Sequence, residues 1–417
     1  MTSINSIATA IAAAALLASS FVSADHHGGA HASSINNIDS NNFGIDAKEI
    51  ADIKAQMQAA IDGGFIAGNI LLVGNSEGVG VLETAGTQGP EQSTPMDEQT
   101  LFRIYSMTKP IVSVATMTLV EDGLLAISDP VSKYIPEFAN MTVINEETGA
   151  ITPAANEMTV QDLLTHESGL IYGIFDPQSE LGKMYFQAGS LRSNITALTL
   201  AQNLAALPLR FEPGTKWNYS RSTDVLGAVI EVAAGKPLDA LLNERIFAPL
   251  GMDETTFFVD VSKAARIAHP IHGEMDDPNV VTPMLSGGGG LHSTTEDYVR
   301  FASMLLGGGE YNGTRILEAD TLTAMQQKFI GDSVDRSAYF FGSRGDWGLG
   351  FHLQPIPGAD NEGPFNFGWR GVGGTVFIVD PTNDFFMLYM AQVQGGPAGA
   401  PMDLTKAQAA VYKAMLN

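Results

Sequence analysis

An α/β domain interrupted by an all-helical insertion is the architecture this chain predicts, on three observations. Strand-like runs stand near both ends, in "NILLVGNSEGVGVLETAG" (69–86) and again in "GTVFIVDP" (374–381) and "DFFMLYMAQV" (384–393). Between Ser106 and about residue 280, helical spacing and loops dominate. A last amphipathic helix carries Leu404, Ala407, Val411 and Met415 at helical intervals. No internal repeat is present. The α/β domain is therefore expected to be discontinuous, over 45–105 and 286–417, with a mainly helical domain over 106–285. A cleft between two such domains is a natural place for a site.

The elements follow in order. Asp46 and Glu49 have capping-box spacing, and Ile50, Ile53, Met57 and Ile61 share a helical face until Gly63-Gly64 stops it. The run after it reads as two short strands joined by a tight turn at Gly74-Asn75-Ser76-Glu77-Gly78. Ahead of all this, residues 1–24 look like a secretory signal peptide. An apolar stretch from Ile7 to about Leu17 precedes the small-residue pattern Val22-Ser23-Ala24, although no Lys or Arg precedes it. A periplasmic or secreted location is the expectation. Residues 25–44 are polar, Gly/Ser/Asn-rich and aperiodic, a flexible linker. Cleavage after Ala24 would expose Asp25-His26-His27, a terminus able to bind square-planar copper or nickel; the plainer reading is incidental histidines in a linker.

Composition excludes several classes. The chain has 417 residues, enough for a large core and two or three structural units. Its formal net charge of −24 would repel a phosphate backbone, so nucleic acid is not an expected partner. With charged residues at only 16%, the acid excess is spread thinly over the surface. No further stretch is long enough to span a bilayer. There is no cysteine, hence no disulfide, thiol nucleophile or thiolate metal site.

Two serines attract a catalytic reading. Ser76 lies in a formal G-x-S-x-G match, but that motif needs a helix to follow, and here "VGVLETAG" alternates like a strand. A hairpin turn accounts for Asn75, Ser76 and Gly78 without chemistry. Ser106, in "YSMTK", is placed differently. Pro110 is tolerated only in a helix's first turn, which puts Ser106 at the helix start, where free N–H groups and the dipole favour negative charge. Lys109, three residues on, shares its face. At an ordinary pKa of about 10.4 that lysine would be almost wholly charged at neutral pH. To act as a base it would have to fall by roughly three units.

Six segments in order resemble the serine β-lactamase-like superfamily, most nearly the family VIII carboxylesterases and the related class C β-lactamases. They are "LFRIYSMTKPIVSVATMTLVEDGLLAISDP" (101–130), "TVQDLLTHESGL" (159–170), "FEPGTKWNYSRSTDVLGAVIE" (211–231), "IFAPLGMDETTF" (246–257), "GGGGLHSTTEDYVRFASMLLGGGE" (287–310) and "WRGVGGTVFIVDP" (369–381). The resemblance implies a β-lactamase/transpeptidase-like fold, an antiparallel sheet flanked by helices with an inserted helical domain. It implies Ser106 as nucleophile, Lys109 taking or relaying its proton, and Tyr219 as the other proton carrier, with the choice of base left open. It places substrate along Trp369, Arg370, Gly371 and Val372, with the N–H groups of Ser106 and Val372 as oxyanion hole. Water would hydrolyse the acyl-enzyme, and no cofactor or metal is required. His166 has no vacant role in such a site and reads as a structural histidine.

Two departures bear on substrate. Trp369 stands where β-lactamases open the third motif with a cation, usually Lys in Lys-Thr-Gly, and this looks like the esterase branch. Arg221 replaces the asparagine of the second motif, again weakening a β-lactam reading. Arg370 would restore carboxylate binding only if it reached the cleft, and strand alternation turns it away from Trp369. The expected function is hydrolysis of carboxylic esters with small or medium acyl groups. The alternatives are β-lactamase or D-alanyl-D-alanine carboxypeptidase activity, and a non-catalytic binding protein of the same fold.

Overall fold

The computed structural model describes residues 43–331, 334–394 and 399–416. The leader at 1–24, His26, His27 and the linker up to residue 42 lie outside the described residues. The folded body starts earlier than the sequence implied: Phe43 and Ile45 are already buried, and the Phe43 ring covers Gly80, where a Cβ would collide with it.

Helix α1 (Ala47–Asp62) begins at Asp46, whose carboxylate accepts from the Lys48 N–H, and ends at Gly63. Strands β1 (Gly68–Asn75) and β2 (Gly78–Gly86) form the hairpin, with Ser76 at its exposed tip bonded to Asp384. The two-residue strand β3 (Phe102–Arg103) leads into α2 (Thr108–Glu121). Helices α3 (Val160–Thr165) and α4 (Ser222–Ala234) follow, and a small hairpin of Thr142–Ile144 with Ile151–Pro153 stands among the helices, unanticipated from sequence. Then come β4 (His292–Ser293), which pairs with β3, and α5 (Thr295–Leu306). The rest of the sheet is β5 (Asp346–Trp347), β6 (His352–Asp360), β7 (Gly363–Gly371), β8 (Thr375–Asp380) and β9 (Phe385–Ala391), and α6 (Leu404–Leu416) closes the chain.

The main sheet has seven antiparallel strands in the order β2-β1-β9-β8-β7-β6-β5. Alternate residues divide between two cores. Ile70, Leu72, Phe386, Leu388 and Met390 face the helical side, while Leu71, Val73, Met387 and Tyr389 face α1 and α6. Both faces are covered, so β1 and β9 read as unbroken apolar runs. The fold is β-lactamase/transpeptidase-like, an antiparallel sheet with flanking helices. Among the described residues no helix is long and apolar enough to cross a membrane.

Candidate active site

Ser106 is presented by a sharp reversal. Strand β3 ends at Arg103, and Tyr105 then adopts a left-handed backbone, φ 42°, before a single 3-10 turn (Tyr105–Met107) feeds α2. A left-handed conformation at a bulky residue costs on the order of 1–3 kcal/mol and persists only where its surroundings enforce it. Here they do. The end of β7 lies hard against this turn, so that a Cβ on Gly371 would come within 2.4 Å of the Ile104 carbonyl oxygen. Pro110 sits in the first turn of α2, where its missing N–H is not needed.

Lys109 is sealed beneath Ser106, only 1% exposed. Its Nζ lies 3.2 Å from Ser106 Oγ, 2.8 Å from Tyr172 Oη and 2.6 Å from the Gly288 carbonyl oxygen. It also stands 4.6 Å from the centre of the Tyr219 ring. Burial works against the ammonium, but the phenol oxygens of Tyr172 and Tyr219 outweigh it and hold the lysine's pKa above the ordinary value. That runs opposite to the fall which the sequence required of a lysine base.

Tyr219 hangs from irregular chain just before α4, fixed by the Asn218 N–H on the His166 carbonyl oxygen. Its Oη accepts a hydrogen bond from Trp369 Nε1 at 3.1 Å. Its ring packs 4.7 Å from His166, 5.3 Å from Tyr172 and 5.3 Å from Phe340. His166 is buried, its Nδ1 3.4 Å from Ser220 Oγ; burial, then the charge of Lys109, keep the imidazole neutral well below its ordinary range.

Ser106, Tyr219, Trp369, Arg370, Gly371 and Val372 line one cavity of about 610 Å³, with Lys109 directly behind Ser106. Phe175 and Phe340 form its exposed aromatic rim, 6.3 Å apart. The N–H groups of Ser106 and Val372 find no acceptor among the described residues. All seven residues picked out from sequence thus meet in one place. Ser76 is remote from it, in the hairpin tip against Asp384.

Several contributors escaped the sequence reading. Tyr172 is one, a buried acceptor for Lys109 with no motif of its own. Another is the buried Asp224, which accepts from Ser286 Oγ at 2.5 Å, from the Gly288 N–H at 3.1 Å and from Arg221 at 3.0 Å. Burial opposes its charge, but Arg221 and Ser286 hold the carboxyl below its usual range. Asp224 thereby fixes the segment whose Gly288 carbonyl meets Lys109. Arg221, which stands where β-lactamases place an asparagine, lies over the Tyr172 ring at 4.9 Å and does not line the cavity.

Comparison with known proteins agrees with this geometry. The beta-lactamase family model matches residues 53–412. Protein Rv1367c of Mycobacterium tuberculosis is 32% identical over 363 residues, covering 81% of this chain and 89% of its own. Esterase EstB of Burkholderia gladioli is 30% identical over 377 residues, covering 82% and 90%. Among solved structures, EstCE1, a hydrolase with promiscuous acyltransferase activity, superposes with a TM-score of 0.72 at 25% identity over 87% of this chain and 98% of its own. The match to nearly the whole length, together with a buried lysine under a serine at a helix mouth, makes the chain a member of the beta-lactamase family and a serine hydrolase.

Proposed function

We propose that the protein cleaves carboxylic esters with small or medium acyl groups through an acyl-enzyme on Ser106. The observation that carries this is the contact of the sealed Lys109 ammonium with Ser106 Oγ, beside a Tyr219 whose oxygen already accepts from Trp369. Lys109 meets three oxygens, its pKa is held above the ordinary value, and as an ammonium it has no lone pair to offer. Tyr219 is then the base. Its oxygen is fixed by the Trp369 N–H, and the Lys109 ammonium stands 4.6 Å from its ring centre.

Ser106 Oγ attacks the ester carbonyl carbon and its proton passes to Tyr219 Oη. The carbonyl oxygen becomes an oxyanion between the N–H groups of Ser106 and Val372, a donor pair of which each member is worth about 2.7–4 kcal/mol in such sites. Collapse expels the alkoxide, which takes the proton back from Tyr219. Water repeats the sequence on the acyl-serine, returning the acid and free Ser106. The position held by a cation in β-lactamases is here a buried indole that serves Tyr219, which supports esters over β-lactams.

The test is hydrolysis of 4-nitrophenyl butyrate. Ser106→Ala is expected to lose about a thousandfold or more in kcat, while Ser76→Ala matches the wild type. Equal activity in Ser106→Ala would sink the reading.

A further inference from the structure

Among the described residues that line the cavity, Arg370 is the cation that the catalytic sequence leaves unused. Arg103, Arg221 and Arg300, also withdrawn from water, place their guanidinium donors on carbonyl or carboxylate oxygens. Arg370 is half-buried, and its guanidinium makes no hydrogen bond or ion pair with any described residue. Its register partner is Val376, so it projects from the face of the sheet opposite Trp369, as strand alternation requires. Its guanidinium carbon stands 5.2 Å from the Phe341 ring centre, and Phe341 lies flat on His352, 3.8 Å away at 13°. The planar head is thus braced from behind, with its donors unmet by any described residue.

The cavity holding Ser106 passes round the end of β7 at Gly371-Val372 and reaches this second face. There its walls are Ile66, Tyr389, Val393, Met402 and Leu404, with Arg370 beside them. Asp403 is near, but its carboxylate receives the N–H groups of Thr405 and Lys406 as the cap of α6 and forms no ion pair with Arg370. A half-buried guanidinium without an anionic partner is incompletely solvated, and its fork matches a carboxylate with two parallel hydrogen bonds. A surface of net charge −24 repels anions at a distance. A carboxylate is held here only by a cation at close range, set within the cavity.

We propose that the branch of the cavity between Arg370 and the start of α6 is a subsite for a carboxylate carried on an apolar stem of the ester. The enzyme's substrates are then amphiphilic half-acids. This rests on the ester reading of Ser106, and the acid belongs to either the acyl or the alcohol half.

Three esters separate these cases: neutral 4-nitrophenyl butyrate, mono-4-nitrophenyl glutarate with an acyl-side acid, and 4-carboxyphenyl butyrate with an alcohol-side acid. In Arg370→Met, kcat/KM for one acidic ester relative to the neutral one should fall about tenfold or more, mainly through KM, and Arg370→Lys should recover part of it. Unchanged ratios for both acidic esters overturn the subsite. If the wild type turns over none of the three, the ester reading fails by itself. The subsite is then judged by calorimetric binding of 4-phenylbutyrate to Ser106→Ala: weakening of about tenfold on adding Arg370→Met supports it, and equal binding overturns it.

Discussion

Lys109 faces Ser106, Tyr172 and Gly288 at once, and that supports the proposal of Tyr219 as base, a choice that the sequence left open. Tyr172→Phe removes one acceptor from a sealed ammonium. Where the charged lysine orients Ser106 and steadies Tyr219, kcat should fall roughly ten- to a hundredfold. An unchanged or higher kcat would hand the base's role to Lys109, since loss of the acceptor frees its proton. Trp369→Phe tests the other side. Without the indole N–H on Tyr219 Oη, kcat should fall roughly tenfold with KM little changed. A change in KM alone would reduce Trp369 to a wall of the pocket. Ser106, Lys109 and Tyr219 were legible because each sits in a motif of fixed spacing. Tyr172 and Asp224 were not, because their roles arise from packing between α2, α4 and the Gly287–Leu291 segment, which no local spacing encodes.

At the scale of elements, α3 carries an unused liability. It ends at His166 in a left-handed cap, and Glu167 follows it into the core. Burial, then the nearby Asp162 carboxylate, push the Glu167 pKa up to about 8 from an ordinary 4.5. The folded state therefore keeps a proton that the unfolded chain releases, so stability is fully present below about pH 4.5 and is lost as pH rises through about 8. Glu167→Gln removes this dependence. Its unfolding free energy should equal that of the wild type near pH 4 and exceed it increasingly up to about pH 8, by a few kcal/mol at most, with the melting temperature following. Parallel melting curves across that range would show the carboxyl to be ionised in the fold. Strand β6 shows why some elements escaped the sequence. Its Pro355, Pro357 and Gly358 read as a loop, yet β5 pairs only with its first two residues, leaving an edge that tolerates proline. The runs in β1, β8 and β9 were plain because both faces of the sheet are buried.

For the molecule as a whole, strands near both ends and helices between were visible in the residue pattern, but the strand order was not, because pairing between distant segments leaves no local mark. That order puts β9, the last strand made, inside the sheet between β1 and β8, with Ile70 opposite Met390 and Val379 opposite Phe386. The first hairpin must wait for nearly the whole chain to emerge before it gains its partner. Contacts so far apart in sequence form late, and until then both half-sheets keep an open edge. The C-terminal strand thus acts as a latch: synthesis stopped at Asp384 should yield no protease-resistant body, whereas a truncated chain that resists digestion like the full one would show that the halves close without it. Before the latch engages, the nascent protein is two open half-sheets and no assembled hydrolase.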